Sequence, residues 1–146
     1  MFMRINSIRY NNSVVDDPGI RTVLFMQGCD LHCKGCQNRS TWDIEKGNKV
    51  DIDELVNELN KKVFNKKITI SGGEPLMQKE ALIELVTKLN DLGFDIALYT
   101  GHQKEDVPSI LLDKVKYLKT GNYIQELKTT VKPFVGSENQ VFEEVK

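Results

Sequence analysis

Lys67-Ile-Thr-Ile-Ser-Gly-Gly-Glu74 is the stretch that decides the architecture. Its first four residues are short, apolar and β-branched, as in a buried strand. The run then stops on a double glycine and an acid. Helical patterns flank it on both sides. Before it, Ile52, Leu55, Val56, Leu59 and Val63 fall at i, i+3, i+4, i+7 and i+11, which is one apolar face. Asp51, with Glu54 three residues on, forms a capping-box-like start for that helix. After it, Leu82, Leu85, Val86 and Leu89 give a second helix, from about Lys79, its buried face. Gly93 stands where a C′ glycine ends a helix.

The same unit repeats outward. Arg21-Thr-Val-Leu-Phe-Met26 reads as a strand running into Gly28, residues 94–99 as one running into Gly101, and residues 115–118 as one running into Gly121. A weaker helix, interrupted by Pro108, spans about 107–113. Strands alternating with helices predict an α/β fold with a parallel sheet. In such sheets the working residues gather at the C-terminal edges of the strands. Glycine at those edges lets the backbone approach a ligand closely, or merely turns the chain. Four or five such units do not close an eight-unit barrel, which takes about 250 residues. The expectation is an open partial (βα) barrel.

The remainder reads less sharply. Residues 1–19 are expected to be polar and irregular, ending in the turn signal Asp16-Asp-Pro-Gly19. A polar connector containing Gly47 follows Trp42, and the tail after Gly121 is turn-rich around Gly136-Ser-Glu-Asn-Gln140. At 146 residues the chain is expected to form one domain, 1–146. A net charge of −1 with scattered Lys and Arg points away from a nucleic-acid surface. No apolar run approaches the ~20 residues of a membrane span, and the N-terminus has no signal-type apolar stretch.

All three cysteines lie in Cys29-Asp-Leu-His-Cys33-Lys-Gly-Cys36. Three soft donors this close are a local metal-site signature rather than a disulfide framework. A four-iron cubane bound by three cysteines keeps one iron open for a substrate. A structural zinc site would want four ligands, with His32 as the fourth. A third possibility is unligated packing. The loop alone leaves zinc and cluster both open. Free clustered thiols need a reducing compartment, so a cytoplasmic protein is expected.

The C-x3-C-x2-C spacing resembles the cluster loop of the radical S-adenosylmethionine superfamily. Its flanks are Asp17-Pro-Gly-Ile-Arg21, Leu24-Phe-Met-Gln-Gly-Cys29, Asn38-Arg-Ser-Thr-Trp42 and Ser71-Gly-Gly-Glu-Pro-Leu76. Together they resemble the small activating proteins of anaerobic ribonucleoside-triphosphate reductase. The resemblance implies a [4Fe-4S] cluster on Cys29, Cys33 and Cys36, with S-adenosylmethionine on its open iron. Backbone N–H groups around Gly28 and Gly35 are the expected donors to the cluster. Gly72, Gly73 and Glu74 would meet the amino group of the methionine moiety, and Gly35, Cys36 and Gln37 would line the nucleotide. Alone, Glu74 also reads as a helix-start acid. The implied partner is the catalytic subunit of the reductase, with a one-electron donor such as flavodoxin.

Some positions stay open or depart from the family. Gly35 stands where many relatives place an aromatic side chain. Asp17 replaces the glycine usual before Pro18, and Lys119-Thr-Gly121 lacks the usual acid before its glycine. Trp42, Tyr99 and His102 are candidates for lining the cleft. Arg21 would bind a carboxylate or cap a strand.

Overall fold

The computed structural model describes residues 1–12, 19–29, 31, 39–132 and 134–146. Its sheet has seven strands: β1 (Phe2–Asn12), β2 (Arg21–Met26), β3 (Asn48–Asp51), β4 (Lys67–Gly72), β5 (Asp95–Tyr99), β6 (Tyr117–Thr120) and β7 (Val141–Glu144). Their order is β3-β1-β2-β4-β5-β6-β7. The four strands β2, β4, β5 and β6 are mutually parallel and lie side by side in chain order. β1 runs antiparallel at one edge of this array and β7 at the other. Successive parallel strands that neighbour one another are the unit of a (βα) barrel, and here the sheet stays open.

Among the described residues, three α-helices join this sheet: α1 (Ile52–Lys62), α2 (Lys79–Asp91) and the single turn α3 (Ser109–Leu112). Asp51 caps α1 as its spacing predicts, accepting a hydrogen bond from the Glu54 backbone N–H at 3.1 Å. Gly93, at φ +84°, ends α2 in a Schellman turn. Its own N–H donates to Asn90 O, and the Phe94 N–H donates to Leu89 O. The predicted apolar faces of both helices are buried and meet Leu24, Met26, Ile68, Ile70, Ile96, Leu98 and Leu118 of the sheet. No helix among the described residues is long and apolar enough to cross a membrane.

Register fixes what the opposite sheet face carries. Val23, Thr69, Ala97 and Tyr117 stand side by side across β2, β4, β5 and β6. Toward the C-terminal ends follow Phe25 beside Ser71, and Tyr99 beside Lys119. The Lys119 ammonium lies 4.1 Å from the centre of the Tyr99 ring.

Four expectations need correction. Residues 2–12 are not irregular but form the eleven-residue β1. Its register shifts twice, between Ile5 and Ser7 and between Arg9 and Asn12. The inward side chains pass from Met3 and Ile5 to Ile8 and Tyr10, so the period of two is broken at the first shift. The connector around Gly47 contains the 3₁₀ turn Ile44–Lys46 and the edge strand β3. The helix expected over 107–113 shrinks to α3, because Pro108 cannot donate and precedes it. The last parallel strand sits two residues later than expected, and the tail returns as β7.

Candidate functional site

The C-terminal ends of the parallel strands gather Gln27–Cys29, Gly72–Glu74, Thr100–Gly101 and Gly121 along one rim. Cys29, one of the three cysteines, is buried there. Cys33, Cys36, Gly35, Gln37 and His32 lie outside the described residues, as does Asp17.

The base of the cysteine loop is pinned. The Gly28 N–H donates to Thr41 O at 2.5 Å and the Cys29 N–H to Trp42 O at 3.0 Å. The Gly28 N–H, expected to face a cluster, is thus directed at the returning chain. Gln27 clamps the same junction from below. Its amide nitrogen donates to Ser40 O at 2.9 Å and Asp43 O at 2.6 Å, and its oxygen accepts from Asn6 Nδ2 at 3.0 Å. Gln78 adds a second brace, donating to Arg4 O and Gln27 O while accepting from the Arg4 N–H. These two glutamines were not singled out by their spacing. The only sequence signal is that a polar residue, Gln27, ends an otherwise apolar strand.

Glycine geometry on the rim is local. Gly72 has φ +107°, and a Cβ on it would run into the Met26 backbone. A Cβ on Gly73 would run into the Gly28 carbonyl. The two glycines therefore let the end of β4 press against the end of β2. The Gly73 N–H donates to Met26 O at 3.1 Å and the Glu74 N–H to Gly28 O at 2.7 Å.

Glu74 is the electrostatic centre of the rim. It is 1% exposed. Its Oε2 accepts from the Leu76 N–H at 2.9 Å and the Thr100 hydroxyl at 2.7 Å, and its Oε1 from the Gly101 N–H at 2.7 Å. Burial raises its carboxyl above the usual glutamate range, opposed by those three hydrogen bonds and by His102 nearby. The helix-start role is realised, since Glu74 caps the 3₁₀ turn Pro75–Gln78. It also joins the ends of β4 and β5. Two carboxylate oxygens accept about four hydrogen bonds. Among the described residues three are made, so the group retains capacity for a cation.

The other candidates separate. His102 follows on the β5 rim, its N–H donating to Thr100 Oγ1 at 3.1 Å. Trp42 belongs to the base of the cysteine loop, and Tyr99 to the helix-free face, where its ring meets Phe142 edge-on. Arg21 sits at the other end of β2, away from the rim. There it is 1% exposed and binds Thr69 Oγ1, Ile68 O and both the carbonyl and the carboxylate of Asp95. The carboxylate it holds is the protein's own. Lys119, where the family usually places acidic character nearby, covers Tyr99.

The comparisons bear directly on this rim. The family model described as a 4Fe-4S single cluster domain matches residues 15–143. The anaerobic ribonucleoside-triphosphate reductase-activating protein of Escherichia coli K12 is 32% identical over 143 residues, covering 90% of this chain and 93% of that protein. This chain belongs to that family. The corresponding protein of Enterobacteria phage T4 is 36% identical over 139 residues, covering 90% of this chain and 88% of its own. The pyruvate formate-lyase-activating enzyme of Clostridium pasteurianum is 40% identical over 102 residues, but those cover only 42% of that enzyme. In structure, the chain resembles QueE from Escherichia coli, with a TM-score of 0.57 and 17% identity over 79% of this chain and 68% of the other. That likeness carries the fold alone, and it agrees with an open partial barrel.

Proposed function

We propose that this protein is an activating enzyme that installs a glycyl radical on the catalytic subunit of anaerobic ribonucleoside-triphosphate reductase. The observation that carries the reading is the rim itself: a cysteine-bearing loop and a buried, cation-accepting carboxylate at the ends of four parallel strands. In a family described by a 4Fe-4S domain, Cys29, Cys33 and Cys36 are the proposed ligands of the cluster. The donor set fits, because Cys29 offers a soft sulfur beside acceptors suited to the ammonium of an amino acid. Together, cluster and S-adenosylmethionine supply a reductively generated 5′-deoxyadenosyl radical when bound.

The chain's own part is binding and exclusion. Glu74 and the carbonyls of Gly72 and Gly73 take the ammonium of the methionine moiety. Gly35, Cys36 and Gln37 line the nucleotide. The sheet does not close, so one domain of this size leaves the reacting centre uncovered along an edge. The partner's glycine-bearing loop covers that edge, presents its Cα–H and shuts out water. A flavodoxin-like one-electron donor and a cytoplasmic setting suit the thiols. The reductase is favoured over pyruvate formate-lyase as partner because similarity to the reductase activators runs the length of both chains.

Anaerobic purification, iron and sulfide analysis and EPR test the site. Cys29→Ala, Cys33→Ala and Cys36→Ala each abolish a reducible four-iron signal, and His32→Ala leaves it intact. With S-adenosylmethionine, reductant and the reductase subunit, 5′-deoxyadenosine and a doublet EPR signal appear, and the doublet collapses when the partner's glycine is deuterated at Cα. Stoichiometric zinc that depends on His32 overturns the cluster. Cleavage equally fast without a partner, and no protein radical with it, overturns the activase reading.

A further inference from the structure

Gly101 differs from the other rim glycines that follow parallel strands. Gly28, Gly72 and Gly121 have φ of +102°, +107° and +99°, where a side chain is strained. Gly101 lies outside that region, so its backbone tolerates a side chain. What it lacks is room. A Cβ there would run into Leu31 Cδ1, with Glu74 Oε1 at 3.5 Å. Leu31 belongs to the cysteine loop, two residues after Cys29 and two before Cys33. Its side chain therefore crosses from the end of β2 to the end of β5.

This contact completes a circuit. Leu31 rests on Gly101, and the Gly101 N–H is held by the Glu74 carboxylate. The Glu74 N–H is held by the Gly28 carbonyl, and Gly28 leads through Cys29 back to Leu31. The pinned base, at Thr41, Trp42 and Gln27, fixes where the loop leaves the sheet. A loop held only at its base still pivots about it, and a support beyond the base removes that freedom.

We propose that Leu31 is a positioning residue, a peg seated on the bare Cα of Gly101 that fixes the tilt of the cysteine loop over the ends of β4 and β5. It acts through the loop and touches no reacting atom. The inference rests on the cluster reading above, because the loop is placed for the ligands it carries. Apolar contact supplies the hold, since truncating a packed side chain loses its dispersion partners outright.

A double-mutant cycle tests it. The unaltered protein, Leu31→Ala, Gly101→Ala and the double variant are loaded with iron and sulfide without oxygen. Iron loss to a chelator and thermal unfolding of the metal-free proteins are then followed. Gly101→Ala displaces only the end of a flexible side chain, and Leu31→Ala only removes atoms, so the unfolding midpoints stay together. Each single change speeds iron loss about fivefold or more, the factor that goes with losing a contact of this size. In the double variant the new methyl occupies the space that Leu31 vacates, and the rate returns to within about twofold of the unaltered protein, a non-additivity reserved for touching residues. Single variants that hold iron as well as the unaltered protein overturn the proposal, and so does a double variant as poor as the two singles combined. An unaltered protein that takes up no iron overturns the cluster reading, and this inference with it.

Discussion

Glu74 is the residue whose replacement reads most directly on the rim. Glu74→Ala removes the acceptor from the Leu76 N–H, the Thr100 hydroxyl and the Gly101 N–H at once. A hydrogen bond to a charged group is worth about 1.5–3 kcal/mol, so the three total about 4–9 kcal/mol. Losing a buried charge recovers several kcal/mol of desolvation, about half of that sum, and the expected net cost is about 2–4 kcal/mol. Urea unfolding of the metal-free protein measures it. A cost under about 0.5 kcal/mol, the level of a plain surface change, refutes the idea that Glu74 ties the strand ends together.

The isosteric Glu74→Gln gives the pH dependence. Burial raises the folded-state value of Glu74, so the folded protein holds this proton to a higher pH than the unfolded chain does. The associated stability is fully present below the ordinary glutamate value and is lost as pH rises through the folded value. The margin of the unaltered protein over Glu74→Gln therefore shrinks from acid toward neutral pH. His102 faces this carboxylate, and Asp106 stands 3.9 Å from His102 Nδ1. Both are present in the two proteins. A margin that widens with rising pH contradicts the assigned direction.

Two further changes probe the supports. Gln27→Leu removes two donors and one acceptor from the base of the cysteine loop and should cost about 2–4 kcal/mol at about 1 kcal/mol per hydrogen bond; loss confined to surface levels in urea unfolding contradicts the clamp. Arg21→Met leaves the Asp95 carboxylate without its buried partner and should cost about 3–5 kcal/mol, whereas Arg21→Met with Asp95→Asn should recover part of it, as a double-mutant cycle by thermal unfolding would register.

Local signals carried far in this sequence, and distant ones did not. Asp51, Glu54 and Gly93 announce helix ends because capping bonds span only a few residues. The faces of α1 and α2 are visible because an unbroken helix keeps its period. β1 hides for the opposite reason: its first register shift moves the inward side from odd to even positions, so Met3, Ile5, Ile8 and Tyr10 match neither a strand nor a helix. β3 offers Asn48-Lys-Val-Asp51, a single apolar residue whose pairing depends on β1 being there. In the site, Gly-Gly-Glu is conspicuous by composition, yet its contact with Thr100 and Gly101 bridges 26 and 27 residues. Arg21 reads as a ligand-binding cation until Asp95, 74 residues away, is found beside it.

The position of β1 between β2 and β3 also sets a calendar for the loop. Both strands that bracket residues 27–47 pair with a strand made before either of them. Once Asp51 is made, the chain thus already holds the partners that pin the base of the loop, Arg4, Asn6, Gln27, Ser40, Thr41, Trp42 and Asp43, with the brace from Gln78 still to come. Antiparallel neighbours of this kind close without waiting for a crossover helix. The far supports, at Gly73, Glu74 and Gly101, emerge later from the ribosome. Metal delivered during that interval would meet Cys29 on a base already pinned but not yet walled in.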